Sequence, residues 1–291
     1  MKLSAVLIVK NENKVLERCL ESVKEADEII ICDTGSTDGT IKIAKKYTDK
    51  IYTDYVWDDH FANARNHAKS KATGDWILSI DADEFLEEDG IRKVKEVISK
   101  TKKNVINVEM WANKKNCKEF VFPRIFKNIP EIKWEGRIHN YLNNVNSDDS
   151  NIKITYSYSP AHAADPDRSL RMLIQAVKEE GNKSRRNVYY LGREYYFKKL
   201  YELASYWLEL YVNERANWNP EKADAYYLLG LTYFNLRIID KAKDNALQSI
   251  KLNPNFKAPL QLMADLSGPT DKKIWLKFRE AANNKYTLFT R

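Results

Sequence analysis

Gly74-Asp75-Trp76-Ile77-Leu78-Ser79-Ile80-Asp81-Ala82-Asp83-Glu84-Phe85 is the stretch on which the reading of this chain turns. Trp76 to Ile80 is a short apolar run with the length and bulk of a buried strand. It ends in two carboxylates one residue apart. In an extended chain residues i and i+2 share a face, so Asp81 and Asp83 aim their charge at one point. Like charges held together raise each other's cost of ionisation unless a cation sits between them. Hard oxygen ligands suit Mg²⁺ or Mn²⁺, ions that bridge protein carboxylates to substrate phosphates. The alternative is a strand end followed by an acidic first helical turn, Asp83, Glu84 and Glu87, favoured by the helix dipole.

Working outward, the flanking segments supply a setting for the acids. Upstream, Leu3 to Val9 reads as a buried strand, followed by Asn11-Glu12-Asn13 and a helix whose apolar face is Val15, Leu16, Cys19, Leu20 and Val23. Glu28 to Cys32 is a second strand, ending at Asp33. Thr34-Gly35-Ser36-Thr37-Asp38-Gly39-Thr40 is a turn that opens a helix through Ile41, Ala44 and Tyr47. Ile51 to Val56 reads as a third strand, and Phe61 to Ala68 as a helix leading to the central strand. Strands alternating with helices imply a mainly parallel sheet covered on both faces. Ligands of such sheets bind beyond the carboxyl ends of the strands, where Val9, Asn11, Asp33, Asp81 and Asp83 all fall.

Downstream, Phe85, Leu86, Ile91, Val94 and Ile98 give a helical period. Val105 to Trp111, Phe120 to Phe126 and Ile152 to Tyr158 read as strands. Asn143 to Asn151 reads as a polar, mobile loop. Asp165-Pro166-Asp167 caps a helix starting near Arg168. Beyond Arg186 the pattern is helical and repetitive: Leu191-Gly192-x-x-Tyr195 with Ala204 returns 38 residues later as Leu229-Gly230-x-x-Tyr233 with Ala242. This resembles the tetratricopeptide repeat, lengthened around Asn217-Trp218-Asn219-Pro220. Phe256 to Ala282 reads as a degenerate third unit that caps the stack. The expected organisation is an α/β domain over 1–165, a helical connector over 166–185 and all-α repeats over 186–291.

A length of 291 residues, 43% hydrophobic and 12% aromatic, accommodates two ordinary domains with real cores. The net charge of +7 is spread along the chain. No dense basic tract marks a nucleic-acid groove, while phosphate-bearing small molecules or peripheral contact with an anionic membrane fit the balance. Cys19, Cys32 and Cys117 make neither a disulfide framework nor a zinc pattern, as expected of a reducing compartment, and Cys19 and Cys32 fall at core positions. The run Leu3 to Val9 is too short for a signal peptide core or a membrane span, so a soluble, cytoplasmic protein is expected.

Five pieces in order now carry a resemblance: Val9-Lys10-Asn11-Glu12, Asp33 to Thr40, Ala64-Arg65-Asn66, Asp81-Ala82-Asp83-Glu84, and Trp134-x-Gly136-x-Ile138-His139. Together they resemble a family-2 glycosyltransferase with the GT-A fold. The last piece is similar to the acceptor-side motif of a bacterial subgroup that acts on lipopolysaccharide cores and on peptide bacteriocins. The resemblance implies a nucleotide-sugar donor, such as a UDP-sugar, and a glycan or polypeptide acceptor. It makes Asp83 the direct ligand of Mn²⁺ or Mg²⁺, with Asp81 on the ribose or a metal-bound water. Asp33 would accept from the base or ribose, Val9, Asn11 and Glu12 would line the nucleotide, and Ala82 lies within the motif. Arg65 would reach the nucleotide or orient the acids, its alternative being an ion pair with Asp81. Arg124 would meet a phosphate or form an ion pair, and His162 would add a metal ligand or serve as a connector.

Inverting transfer needs a base near the acceptor. Many relatives carry Glu directly after the motif histidine, and this chain has Asn140 there, which cannot take a proton. His139, with Glu135 second, is the expected base. The helical repeats would bind an acceptor, a protein partner or a second copy of the chain. The rival reading, prompted by Asn140, is a repeat scaffold with a non-catalytic transferase-like domain.

Overall fold

A computed structural model describes residues 1–113, 117–161, 165–181, 184–214 and 218–284. The chain divides into two compact units, Met1–Pro166 and Asp167–Arg291. In the first, β1 (Leu3–Val9), α1 (Leu16–Val23), β2 (Glu28–Asp33), α2 (Thr40–Ala44), β3 (Ile51–Tyr52), α3 (Phe61–Ser70) and β4 (Trp76–Ser79) lead to the acidic turn. There follow β5 (Glu84–Leu86), α4 (Gly90–Lys100), β6 (Val105–Ala112), β7 (Cys117–Lys127), β8 (Trp134–Glu135), β9 (Tyr141–Leu142) and β10 (Ser147–Tyr156). Among the described residues an eight-stranded sheet has the order β3-β2-β1-β4-β7-β6-β10-β5. β1 pairs in parallel with β2 and β4, β2 with β3, and β6 with β10. β7 runs antiparallel between β4 and β6, and β5 runs antiparallel to β10.

Burial explains the near-continuous apolar strands. Along β1, Leu3, Ala5, Leu7 and Val9 pack in one core with α1, α2 and α4, while Val6 packs in a second core with α3 and the β8–β9 hairpin. A strand covered on both faces needs apolar side chains in both registers. Cys19 and Cys32 are buried free thiols. Among the described residues no helix is long and apolar enough to cross a membrane.

Three expectations are corrected. Phe85 and Leu86 belong to β5, because Glu84 to Leu86 pair with Tyr156 to Ile154; α4 begins only at Gly90. The loop expected over Asn143 to Asn151 is strand from Ser147, with Asn107 Nδ2 reaching Ser147 Oγ and Asp149 Oδ1 across the β6–β10 pair. Its polar side chains bond to one another across an exposed end of the sheet. The third strand stops at Tyr52, since Asp54 turns to His67 and Lys71 and leaves Val56 87% exposed.

The second unit is helical: α5 (Arg168–Glu180), α6 (Arg185–Phe197), α7 (Tyr201–Val212), α8 (Asn219–Asn235), α9 (Ile239–Leu252), α10 (Lys257–Asp265) and α11 (Pro269–Ala281). The repeat seen in the sequence is a repeat of geometry. Lys199 and Arg237 both adopt the left-handed conformation, at φ 60° and 61°. Leu200 N donates to Tyr195 O and Ile238 N to Tyr233 O, each at 2.9 Å, so both turns close in the same Schellman manner. The recurring glycines mark close helix contacts. A Cβ on Gly192 would lie 2.8 Å from Leu208 Cγ, and one on Gly230 would lie 3.1 Å from Ala242 O.

Candidate active site

Val9 and Asp33 are register partners in the β1–β2 pair, so two strand ends reach the same edge of the sheet. The chain leaves β1 through Asn11, at φ 58°. The loop after β2 braces that turn. Asn11 N donates to Ser36 Oγ at 2.9 Å, Glu12 N to Thr40 Oγ1 at 2.7 Å, and Thr37 N to Asn11 Oδ1 at 2.8 Å. Asp38 accepts from Asn13 N and Thr40 N, which braces the turn that opens α2. Asp33 divides its carboxylate between two uses. Oδ2 accepts from Gly35 N and Ser36 N at 3.2 and 3.0 Å, while the buried Oδ1 has no partner among the described residues.

Beyond β4 the acids separate into a paired set and an unpaired one. Asp81 Oδ1 accepts from Arg65 at 2.7 Å and Oδ2 accepts from Arg124 at 3.2 Å. Arg124 also pairs with Glu84, whose Oε2 accepts from Asp81 N at 2.9 Å. Burial opposes ionisation of Asp81, but the guanidiniums of Arg65 and Arg124 outweigh it and hold the carboxyl well below the usual range. Burial also pushes Glu84 up, against the pull of Arg124. Ala82 turns the other way, into the core with Leu78 and Ile80.

Asp83 is different. Its main-chain oxygen accepts from Ser157 N and Ser157 Oγ, each at 2.9 Å. Its carboxylate has no hydrogen bond or ion pair among the described residues. Burial first, then the charges of Asp81, Glu84 and Glu12, push this carboxyl up to about 7. That environment favours a bound cation or a bound proton.

The segment Trp134 to His139 is fastened to the same helix that supplies Arg65. Asn66 clamps Trp134, donating Nδ2 to Trp134 O and accepting from Trp134 N, both at 2.9 Å. The Arg65 guanidinium lies 5.1 Å from the Trp134 ring centroid. Arg137 donates to Asp58 O and Asp59 O, and Phe61 N donates to Arg137 O, so the start of α3 is tied to the motif as well. His139 is half-buried with φ 51°, and Glu135 is exposed and accepts from Asn143 Nδ2. Asn140 Nδ2 donates to Gly136 O at 2.7 Å. A carboxylate at that position could not close this turn, which gives the amide a local structural reason.

The sequence model of glycosyl transferase family 2 matches residues 4–160. The chain belongs to glycosyl transferase family 2. The glycosyltransferase SunS of Bacillus subtilis is 26% identical over 239 residues, covering 77% of this chain and 56% of that protein. A TPR repeat-containing protein of Synechococcus elongatus is 37% identical over 143 residues, covering 47% of this chain and 34% of that one. The chain thus spans between a third and a little over half the length of these relatives. The crystal structure of S. aureus TarS shares the fold, with a TM-score of 0.50 at 15% identity over 84% of this chain and 54% of that one.

Val9, Asn11, Glu12, Asp33, Arg65, Asp81, Asp83 and Arg124 lie on strand ends or on segments bonded to them. Arg65 and Arg124 take the ion-pair alternative. Asp81, expected among the metal contacts, instead has both oxygens engaged by arginines. His162 lies outside the described residues. Glu84 and Asn66 carry connecting roles that sequence reasoning did not assign; their signal was adjacency to Asp83 and Arg65. Among the described residues no group of three His, Cys, Asp or Glu side chains forms a metal cage. The unpartnered Asp83 carboxylate nevertheless fits one hard cation that takes its other ligands from phosphate and water.

Proposed function

We propose that the chain is an inverting, metal-dependent glycosyltransferase that moves a sugar from a UDP-sugar to a glycan or polypeptide acceptor. The observation that carries the proposal is the Asp83 carboxylate, half-buried, with no ion pair among the described residues, and raised by burial and by three neighbouring acids beyond the end of β4. Mn²⁺ or Mg²⁺ bound there would supply Lewis-acid stabilisation to the departing diphosphate. Asp83 would hold the ion. Asp81, gripped by Arg65 and Arg124, would fix the turn that presents Asp83 instead of ligating directly. The open Asp33 Oδ1 would accept the base imide N–H or a ribose hydroxyl, with Val9 and Asn11 lining the base.

On the acceptor side, His139 would take the proton of the nucleophile, with Glu135 as the second candidate. Asn140 serves the turn. The helical unit would bind the acceptor, a protein partner or a second copy of the chain. Support comes from family membership, from the likeness to SunS, and from the Asp33 oxygen that lacks a protein donor.

The test is release of UDP from a panel of UDP-sugars with Mn²⁺, comparing the native chain with Asp83→Ala. Release by the native chain and its loss in the variant is expected. Equal rates in the two would remove the metal assignment. Absence of both release and metal-dependent nucleotide binding would favour the scaffold reading, which Asn140 in the motif keeps in play.

A further inference from the structure

A cavity of about 190 Å³ opens between the Asn11–Lys14 turn and the Ser159–Ala161 segment. Both walls are held in place. The turn is bonded to Ser36, Asp38 and Thr40. The opposite segment is tied twice to the acidic cluster: Ser157 donates its N–H and hydroxyl to Asp83 O, and the buried Ser159 donates its Oγ to Glu12 Oε2. The cavity therefore lies two residues along the chain from the Asp83 anchor and shares Glu12 with it.

Charge divides across this space. Glu12 and Asp83 carry negative charge toward one another, which is one cause of the raised Asp83 carboxyl. Lys14 is the cation in the cavity wall. It is exposed, and among the described residues it makes no hydrogen bond or ion pair. Asn11 and Asn13 on the same wall are neutral, and Glu12, which also lines the cavity, is engaged by Ser159.

We propose that Lys14 is a donor-binding residue whose ammonium takes the diphosphate of the nucleotide-sugar, a role that rests on the nucleotide-sugar reading above. Departure of the sugar adds negative charge to the diphosphate. An ammonium on a flexible stem, free of other partners, can follow that charge where a fixed dipole cannot. The rigid main chain of the turn keeps the stem's origin constant while its head moves.

The experiment is calorimetric titration of the intact chain with UDP in the presence of Mn²⁺, with uridine followed separately by titration NMR. Lys14→Ala is expected to weaken UDP about tenfold, the size of one lost charge-assisted hydrogen bond, and Lys14→Arg to recover most of the loss. Uridine, which lacks phosphate, should bind both variants as it binds the native chain; a general disturbance of the turn would move it too. If the native chain binds UDP and Lys14→Ala binds it equally well, the Lys14 assignment is overturned while the donor reading stands. If the native chain binds neither UDP nor GDP with Mn²⁺, the donor reading falls and takes this subsite with it.

Discussion

Asp83→Asn should make the metal-free protein more stable at mildly alkaline pH while removing its response to metal. The Asp83 carboxyl sits at about 7 against a usual 3.8, because burial and three acids disfavour its charge. A group whose folded pKa is raised binds its proton more tightly in the native state. Stability is therefore greatest below the unfolded value, falls as pH rises through the interval, and stays low above the folded one. The full gap corresponds to about 4 kcal/mol; for a half-buried group with solvent screening, about 1–2 kcal/mol is the realistic share. The amide removes the charge at nearly constant shape. In EDTA at about pH 8, calorimetry should show a melting temperature about 2–8 °C above the native chain for the first unit, with the difference vanishing near pH 4. Adding Mn²⁺ with UDP should raise the native chain and leave the variant unmoved. A variant no more stable than the native chain at alkaline pH would show that Asp83 is already compensated, and the cation argument would fail with it.

Two further outcomes test the frame around the site. Glu28, whose side chain is 7% exposed, accepts from Ser4, Lys50, Thr73 and Gly74; burial pushes its carboxyl up, but these donors outweigh it and hold it at about 2. Its contribution is present above about 4.5 and is lost as pH falls toward about 2, so Glu28→Gln should cost about 3 kcal/mol in urea unfolding at neutral pH and little at the acid end. In the helical unit, Lys199→Gly and Arg237→Gly relieve left-handed strain at exposed positions and should each add about 0.5–1 kcal/mol, read as a shift in the urea midpoint of that unit.

The division between what the sequence shows and what it conceals follows the range of the interactions. β1, β2 and β4 are legible because burial on both faces writes itself into consecutive residues. The helical repeat is legible because each Leu-Gly-x-x-Tyr unit carries its own close contact and its own turn. β5 is not legible: Phe85 and Leu86 fit a helical period, and only pairing with Thr155 and Ile154, far along the chain, makes them strand. The same limit hides the state of the acids. Asp81 and Asp83 look equivalent in the sequence, each a carboxylate on the same face of an extended turn. What separates them is Arg124, 43 residues beyond Asp81 in the chain, and Arg65, which precedes it by 16. Both guanidiniums reach Asp81 and neither reaches the carboxylate of Asp83, so one acid is paired by the protein and the other has no ion pair among the described residues. Asn66, next to Arg65, extends the point. A single step along α3 passes from the residue that grips Asp81 to the one that clamps Trp134, so α3 links the acidic turn to the segment bearing His139. A substitution that displaced α3 should therefore disturb the acidic turn and the Trp134–His139 segment together.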